Sequence, residues 1–262
     1  ALIVDDVYLS FAKISHYFKK QITHQAGIHP SAKINNAKIS TTCVIGENVI
    51  IGHDCVIGPN TIIEDNVTIG DNAYLYPNVT ILQGCLLGKN VVISSGAVIG
   101  SEGFGNARDN QGRWHTIAHL GNVVIGDNVT IGANTAIDRG TLEDTEIHSG
   151  VRIDNLIHIA HNVIIGQDTA IAANTGIAGS TTLGKHCMIG GMVGIVGHLN
   201  ICDDVVVNAK STVDKDIKTP GVYTGIMPLM SHKQWQNVGL WLVKLDKITK
   251  YLNIKLKNLK GK

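Results

Sequence analysis

Along most of this chain an aliphatic residue recurs at every sixth position. One run comprises Ile45, Ile51, Ile57, Ile63, Ile69, Leu75, Ile81, Leu87, Ile93 and Ile99, and a second Ile125, Ile131 and Ile137. A third comprises Ile147, Ile153, Ile159, Ile165, Ile171, Ile177, Leu183, Ile189, Ile195, Ile201, Val207 and Val213. All 25 positions are Ile, Leu or Val. A spacing of six matches neither the 3.6-residue period of a helix nor the strand-and-turn spacing of a hairpin protein. It matches short flat strands joined by tight corners into a solenoid, three strands to a coil of 18 residues, and 25 hexads predict about eight coils. The residue two before each aliphatic one is small or β-branched with few exceptions, as at Val49, Thr61, Val91, Thr135, Val163 and Val193. Both positions are expected to point into a narrow prism. Glycine often follows the aliphatic residue, as at Gly46, Gly58 and Gly166, where the corners would leave no room for a side chain.

Two interruptions break the phase. Between Ile99 and Ile125 about 20 residues, Ser101 to Leu120, leave the prism. Such an excursion is the expected place for a substrate-enclosing arm. Its Gly103-Phe104-Gly105 is like a fragment of a dinucleotide fingerprint, but no amphipathic helix follows it and no βαβ unit surrounds it. The second interruption predicts a corner bulge at Thr141 to Glu146, equally consistent with a harmless loop. Winding the chain at 18 residues per coil places His161, Gly179 and Gly197 in one column, about 4.8 Å apart per coil, with His198 next to Gly197. A histidine able to take a proton, a glycine N–H one rung away and a second histidine beyond it make acyl transfer one reading of this column.

Composition then narrows the picture. The core is aliphatic, with only 5% aromatic residues. Of five cysteines, Cys43, Cys55, Cys85 and Cys187 occupy the small interior slot and read as packing residues rather than disulfides or metal ligands. The net charge of +1 gives no reason to expect nucleic acid. No apolar run is long enough to span a membrane, and the first residues lack a signal peptide's basic start, so a cytoplasmic protein is expected. From Pro228 onward the hexads stop. Trp235, Val238, Leu242, Leu245, Thr249, Leu252, Leu256 and Leu259 then follow alternating spacings of three and four, a heptad seam. Three such helices could zip together on a trimer axis, or each could pack back onto its prism. The segment also holds eight lysines (Lys233, Lys244, Lys247, Lys250, Lys255, Lys257, Lys260 and Lys262) against Asp246, a net +7 that leaves −6 for the rest. This split suits an acidic protein partner, or only a solvated face.

The hexads resemble those of the hexapeptide-repeat acyltransferases, and the resemblance implies a left-handed parallel β-helix, a homotrimer and active sites between prisms. The segments His158-Ile159-Ala160-His161-Asn162-Val163, Ala178-Gly179-Ser180, Gly197-His198-Leu199, Ile137-Asp138-Arg139-Gly140 and Pro220-Gly221-Val222-Tyr223 are similar to the UDP-3-O-(3-hydroxyacyl)glucosamine N-acyltransferase branch, which acts in lipid A synthesis in the cytoplasm of Gram-negative bacteria. That likeness runs from about Ile28 to the C-terminus. Residues 1–27, with Val7-Tyr8-Leu9, look like the end of that branch's uridine-binding domain, most of which is missing from the chain. It implies a β-helix over 28–222 with an excursion at 101–120, and a helical segment over 223–262. It further implies His161 as catalytic base, the Gly179 amide as oxyanion donor and His198 as a substrate-binding residue, with His158 orienting or idle. The acyl donor would be carried on the phosphopantetheine of an acidic acyl-carrier protein, with no metal and no cofactor of the chain's own. Asn162 points to the N-acyl branch, because the sibling UDP-N-acetylglucosamine O-acyltransferase has Asp after the catalytic histidine. The alternative of another class on the same fold is a zinc-dependent γ-type carbonic anhydrase, which would need three histidines converging on the metal from neighbouring prisms.

Overall fold

A computed structural model describes residues 3–19 and 26–251. It divides into two compact units, with the boundary between Gly225 and Ile226.

The first unit is a three-sided prism of parallel strands, most of them two residues long. The strands form sheets of nine, ten and nine members, and in each sheet a strand pairs with the equivalent strand of the next coil. All 25 ladder residues are buried, the least so being Val213 at 7%. They stack in register, Ile51 on Ile69, Ile69 on Leu87 and Leu87 on Ile125. The last pair shows that the first interruption leaves the ladder intact. The sheets contain more rungs than the eight coils expected. Lys33–Ile34, Lys38–Ile39 and Gly221–Tyr223 continue the prism at its ends, where the strict run of Ile, Leu and Val has already lapsed.

The small interior slot has a second role beyond fit. Thr169, Thr175 and Thr181 each donate a hydroxyl, at 2.9 Å, to the carbonyl 15 residues ahead: Gly184 O, Gly190 O and Val196 O. Cys43 and Cys55 do the same with their thiols, both at 3.2 Å, to Gly58 O and Gly70 O. A side chain that fills the prism and also satisfies a corner carbonyl avoids the penalty of an unpaired buried acceptor. The corners themselves depend on left-handed residues, mostly Asn: Asn48, Asn60, Asn66, Asn78, Asn90, Asn128 and Asn162 have φ between 55° and 62°. Asn tolerates this region better than most side chains. The glycines serve close approach instead, since a Cβ at Gly58 would lie 2.7 Å from Pro77 N in the next coil.

The excursion is a β-hairpin, Asn106–Arg108 pairing antiparallel with Trp114–Thr116. Helix α1 (Val7–Ser15), N-capped by Asp6 through the Leu9 N–H at 2.9 Å, packs on it. Ala12 is buried against Ala107 and Ile117, with Leu9 and Phe11 alongside. The Ser15 hydroxyl accepts the Ala118 N–H at 2.9 Å. The described part of residues 1–27 thus braces the excursion.

The second unit contains helix α2 (His232–Tyr251). Ser231 and Gln234 form a reciprocal cap at its start. Trp235, Val238, Leu242, Leu245 and Thr249 of the seam lie on it, whereas Leu252, Leu256, Leu259, Lys255, Lys257, Lys260 and Lys262 lie outside the described residues. Among the described residues no helix is long and apolar enough to cross a membrane.

Candidate active site

The third sheet delivers its strands to one edge of the prism, and His161 stands at the corner after His158–Ile159. The neighbouring coils place Gly179 and Gly197 at the equivalent corner positions. Backbone bonds tie this column together: Ser180 N–H donates to His161 O at 2.9 Å and His198 N–H to Gly179 O at 3.0 Å. The imidazole of His161 lies close against Gly179, where a Cβ would sit 2.7 Å from both Nε2 and Cε1. No hydrogen bond among the described residues uses the Gly179 N–H.

The bulge between the second and third runs holds the histidine in place through Asn162. Asn162 Oδ1 accepts the Thr141 N–H at 3.0 Å, and its Nδ2 donates to Glu143 O at 2.9 Å. Those partners fix which side-chain atom is oxygen. The 3.1 Å contact from His161 Nδ1 to Asn162 Oδ1 is therefore a donation by Nδ1–H. His161 Nε2 is left with its lone pair, beside Gly179. His198 is exposed and left-handed (φ 61°) at the next corner. His158 is also exposed, its Nε2 3.6 Å from Asp138 Oδ2. Asp138 is buried, accepts the Ser101 hydroxyl at 2.6 Å, and its carboxyl is pushed up by burial.

His119, from the end of the excursion, was not singled out by sequence. It is 2% exposed, and its ring centroid lies 5.2 Å from that of His161. Its Nδ1–H donates to Ile117 O at 3.1 Å, and its Nε2 has no partner among the described residues. Burial first, and then the neighbouring His161, lower its pKa. Gly103 covers both rings, since a Cβ there would lie 2.7 Å from His119 Nε2 and 2.9 Å from His161 Cδ2. Gly105 likewise leaves room for His119, since a Cβ there would lie 2.8 Å from its Cε1. Next to His119 is a cavity of about 340 Å³ lined by Gln83, Glu102, Asn122 and Arg139, among others. The 20-residue excursion breaks the 18-residue winding, so no spacing argument could place His119 here.

Family models for the six-repeat bacterial transferase hexapeptide match residues 42–76, 66–101 and 144–179, and one for the hexapeptide repeat of succinyl-transferase matches 122–142. Over all 262 residues the chain is 69% identical to the UDP-3-O-acylglucosamine N-acyltransferase of Vesicomyosocius okutanii, and 68% identical to that of Ruthia magnifica, spanning 79% of each. The chain belongs to the UDP-3-O-acylglucosamine N-acyltransferase family. It shares the left-handed parallel β-helix of solved relatives. The LpxA structure from Acinetobacter baumannii is 28% identical with a TM-score of 0.56, covering 76% of this chain and 71% of that one. A solved UDP-N-acetylglucosamine acyltransferase is 25% identical with a TM-score of 0.58, covering 79% and 71%. The much higher identity to the N-acyltransferases places the chain with that branch rather than its O-acylating sibling, and makes it an acyltransferase rather than a carbonic anhydrase.

Proposed function

We propose that this N-acyltransferase moves an acyl group from an acyl-carrier protein to the 2-amino group of a UDP-3-O-acylglucosamine in lipid A synthesis, with His161 as general base. The observation that carries the proposal is the pinned imidazole: Nδ1–H on Asn162 Oδ1 at 3.1 Å, and Nε2 bare against the backbone of Gly179. Nε2 removes a proton from the amino group as its nitrogen attacks the thioester carbonyl. The tetrahedral oxyanion accepts the Gly179 N–H, a contact of the kind whose loss elsewhere costs about 3–4 kcal/mol. Collapse breaks the C–S bond, and the imidazolium returns its proton to the departing phosphopantetheine thiolate. His198 binds the substrate from the next corner. The acidic carrier protein is drawn to the lysines of the C-terminal segment, and a homotrimer in the cytoplasm completes the reading.

His161→Ala is expected to leave the fold intact by circular dichroism while lowering kcat by roughly 10²–10⁴-fold. Turnover should be measured with acyl-carrier protein thioester as donor and UDP-3-O-acylglucosamine against UDP-N-acetylglucosamine as acceptors. Near-normal turnover of the variant, or preference for the second acceptor, would overturn the proposal.

A further inference from the structure

At several corners of the prism a side chain caps the backbone amide. On the edge that carries His161, the N–H of Glu47 donates to Asp65 Oδ1 at 2.7 Å, and that of Gln83 to Glu64 Oε2 at 3.0 Å. Other edges repeat the device. The His53 N–H donates to Asp71 at 2.9 Å, the Lys185 N–H to Asp203 at 2.7 Å, and the Ala133 N–H to Asn155 Oδ1 at 2.6 Å. In three of these, Glu47, His53 and Lys185, the capping carboxylate stands 18 residues ahead, at the same corner of the next coil.

For Gly179 that position is Gly197. With no side chain there, the cap is missing and the Gly179 N–H has no partner among the described residues. A short acceptor at 197 would stand where Asp65 stands relative to Glu47. The backbone of Gly197 does not itself demand glycine, since its φ lies outside the left-handed range. A Cβ there would meet Gly179 O at 3.0 Å, a tight contact without gross overlap.

We propose that Gly197 is a positioning residue for the acyl transfer: by withholding the carboxylate cap used at other corners, it leaves the Gly179 N–H free for a substrate oxygen. The inference rests on Gly179 as oxyanion donor and adds what keeps that donor open. An amide already bonded to a carboxylate cannot serve a developing oxyanion without first breaking that bond, and a fixed anion beside it would repel the charge being formed.

The test uses Gly197→Asp, Gly197→Asn and Gly197→Ala in the full chain, with two readouts. The first is hydrogen exchange of the Gly179 amide in [15N]glycine-labelled protein, its resonance assigned by its loss in Gly179→Ala. The second is kcat and KM for acyl transfer. Asp and Asn are expected to slow exchange at Gly179 and to lower kcat by roughly 10²–10³-fold with KM little changed. Ala, which fills space but offers no acceptor, should leave exchange fast and kcat within about tenfold of wild type. Asn separates the cap from the charge, because it should reproduce the loss without the pH-profile change that a carboxylate near His161 brings. Unchanged exchange in both capping variants, or an equal loss of kcat in Gly197→Ala, overturns the inference. Slowed exchange with undiminished kcat would instead overturn Gly179 as the oxyanion donor, while leaving Gly197 as what keeps its amide open.

Discussion

Replacing Asn162 by Asp tests how His161 is held. A carboxylate keeps the acceptor for the Thr141 N–H at 3.0 Å and for His161 Nδ1–H at 3.1 Å, but turns the donor now 2.9 Å from Glu143 O into a second anionic oxygen. The left-handed backbone at 162, φ 59°, suits Asp as well as Asn. Losing one hydrogen bond and facing oxygen with oxygen should cost about 1–3 kcal/mol of stability. The effect on the base is of similar size and has a definite sign. Opposite unit charges about 4 Å apart attract by about 4 kcal/mol at an effective dielectric constant near 20, and by about 1 kcal/mol in water. His161 and Asn162 are both half-buried, so about 1.5–3 kcal/mol is the expected gain for the protonated ring. At about 1.4 kcal/mol per pH unit, the acid limb of kcat/KM should move upward by about one to two units. The assay is the pH profile of acyl transfer for wild type and Asn162→Asp. An acid limb that stays in place would show that His161 Nδ1 does not rest on residue 162 during turnover, and the tautomer argument would fall with it.

Two further predictions concern buried titratable groups. His119 has its pKa lowered by burial and by His161, so its contribution to stability is fully present above its ordinary value of 6.5 and is lost as pH falls through the depressed folded-state value. His119→Gln should therefore flatten the decline of melting temperature between about pH 7.5 and about pH 5, and an unchanged slope would count against a buried, neutral His119. Burial also pushes up the thiols of Cys43, Cys55 and Cys187, and that of Cys85 to about 11. Native alkylation followed by mass spectrometry should label half-buried Cys202 first and the other four only on unfolding, so fast labelling of Cys85 would contradict its place in the prism.

What could be read from the sequence, and what could not, follows from where the chain is periodic. The ladder was legible because each coil repeats the same demand on Ile, Leu or Val, and Cys43, Cys55, Cys85 and Cys187 fell in its interior slot for the same reason. The column of His161, Gly179 and Gly197 was legible because an 18-residue winding is arithmetic. The end rungs were not, since Lys33–Ile34 and Gly221–Tyr223 pair by backbone without the full pattern. The hairpin and His119 lie where the winding rule is suspended. Asn162 was noticed as a mark of family branch, but its hold on His161 needed the path of the bulge at 141–146. That Thr169 and Cys43 also cap carbonyls cannot be seen from size and hydrophobicity alone.

The one-coil-to-the-next character of the prism has a consequence for how the molecule fails. Within the stack each coil pairs only with its two neighbours, so opening should begin as fraying at the end coils and advance like a zipper. The corner residues 161, 179 and 197 have prism beyond them toward both termini, with rungs from Lys33 on one side and to Tyr223 on the other. An end coil could melt and re-form without disturbing the proton acceptor or the amide it faces, and the shorter route to losing the chemistry is from the C-terminal side, where about two coils separate Gly179 from Tyr223.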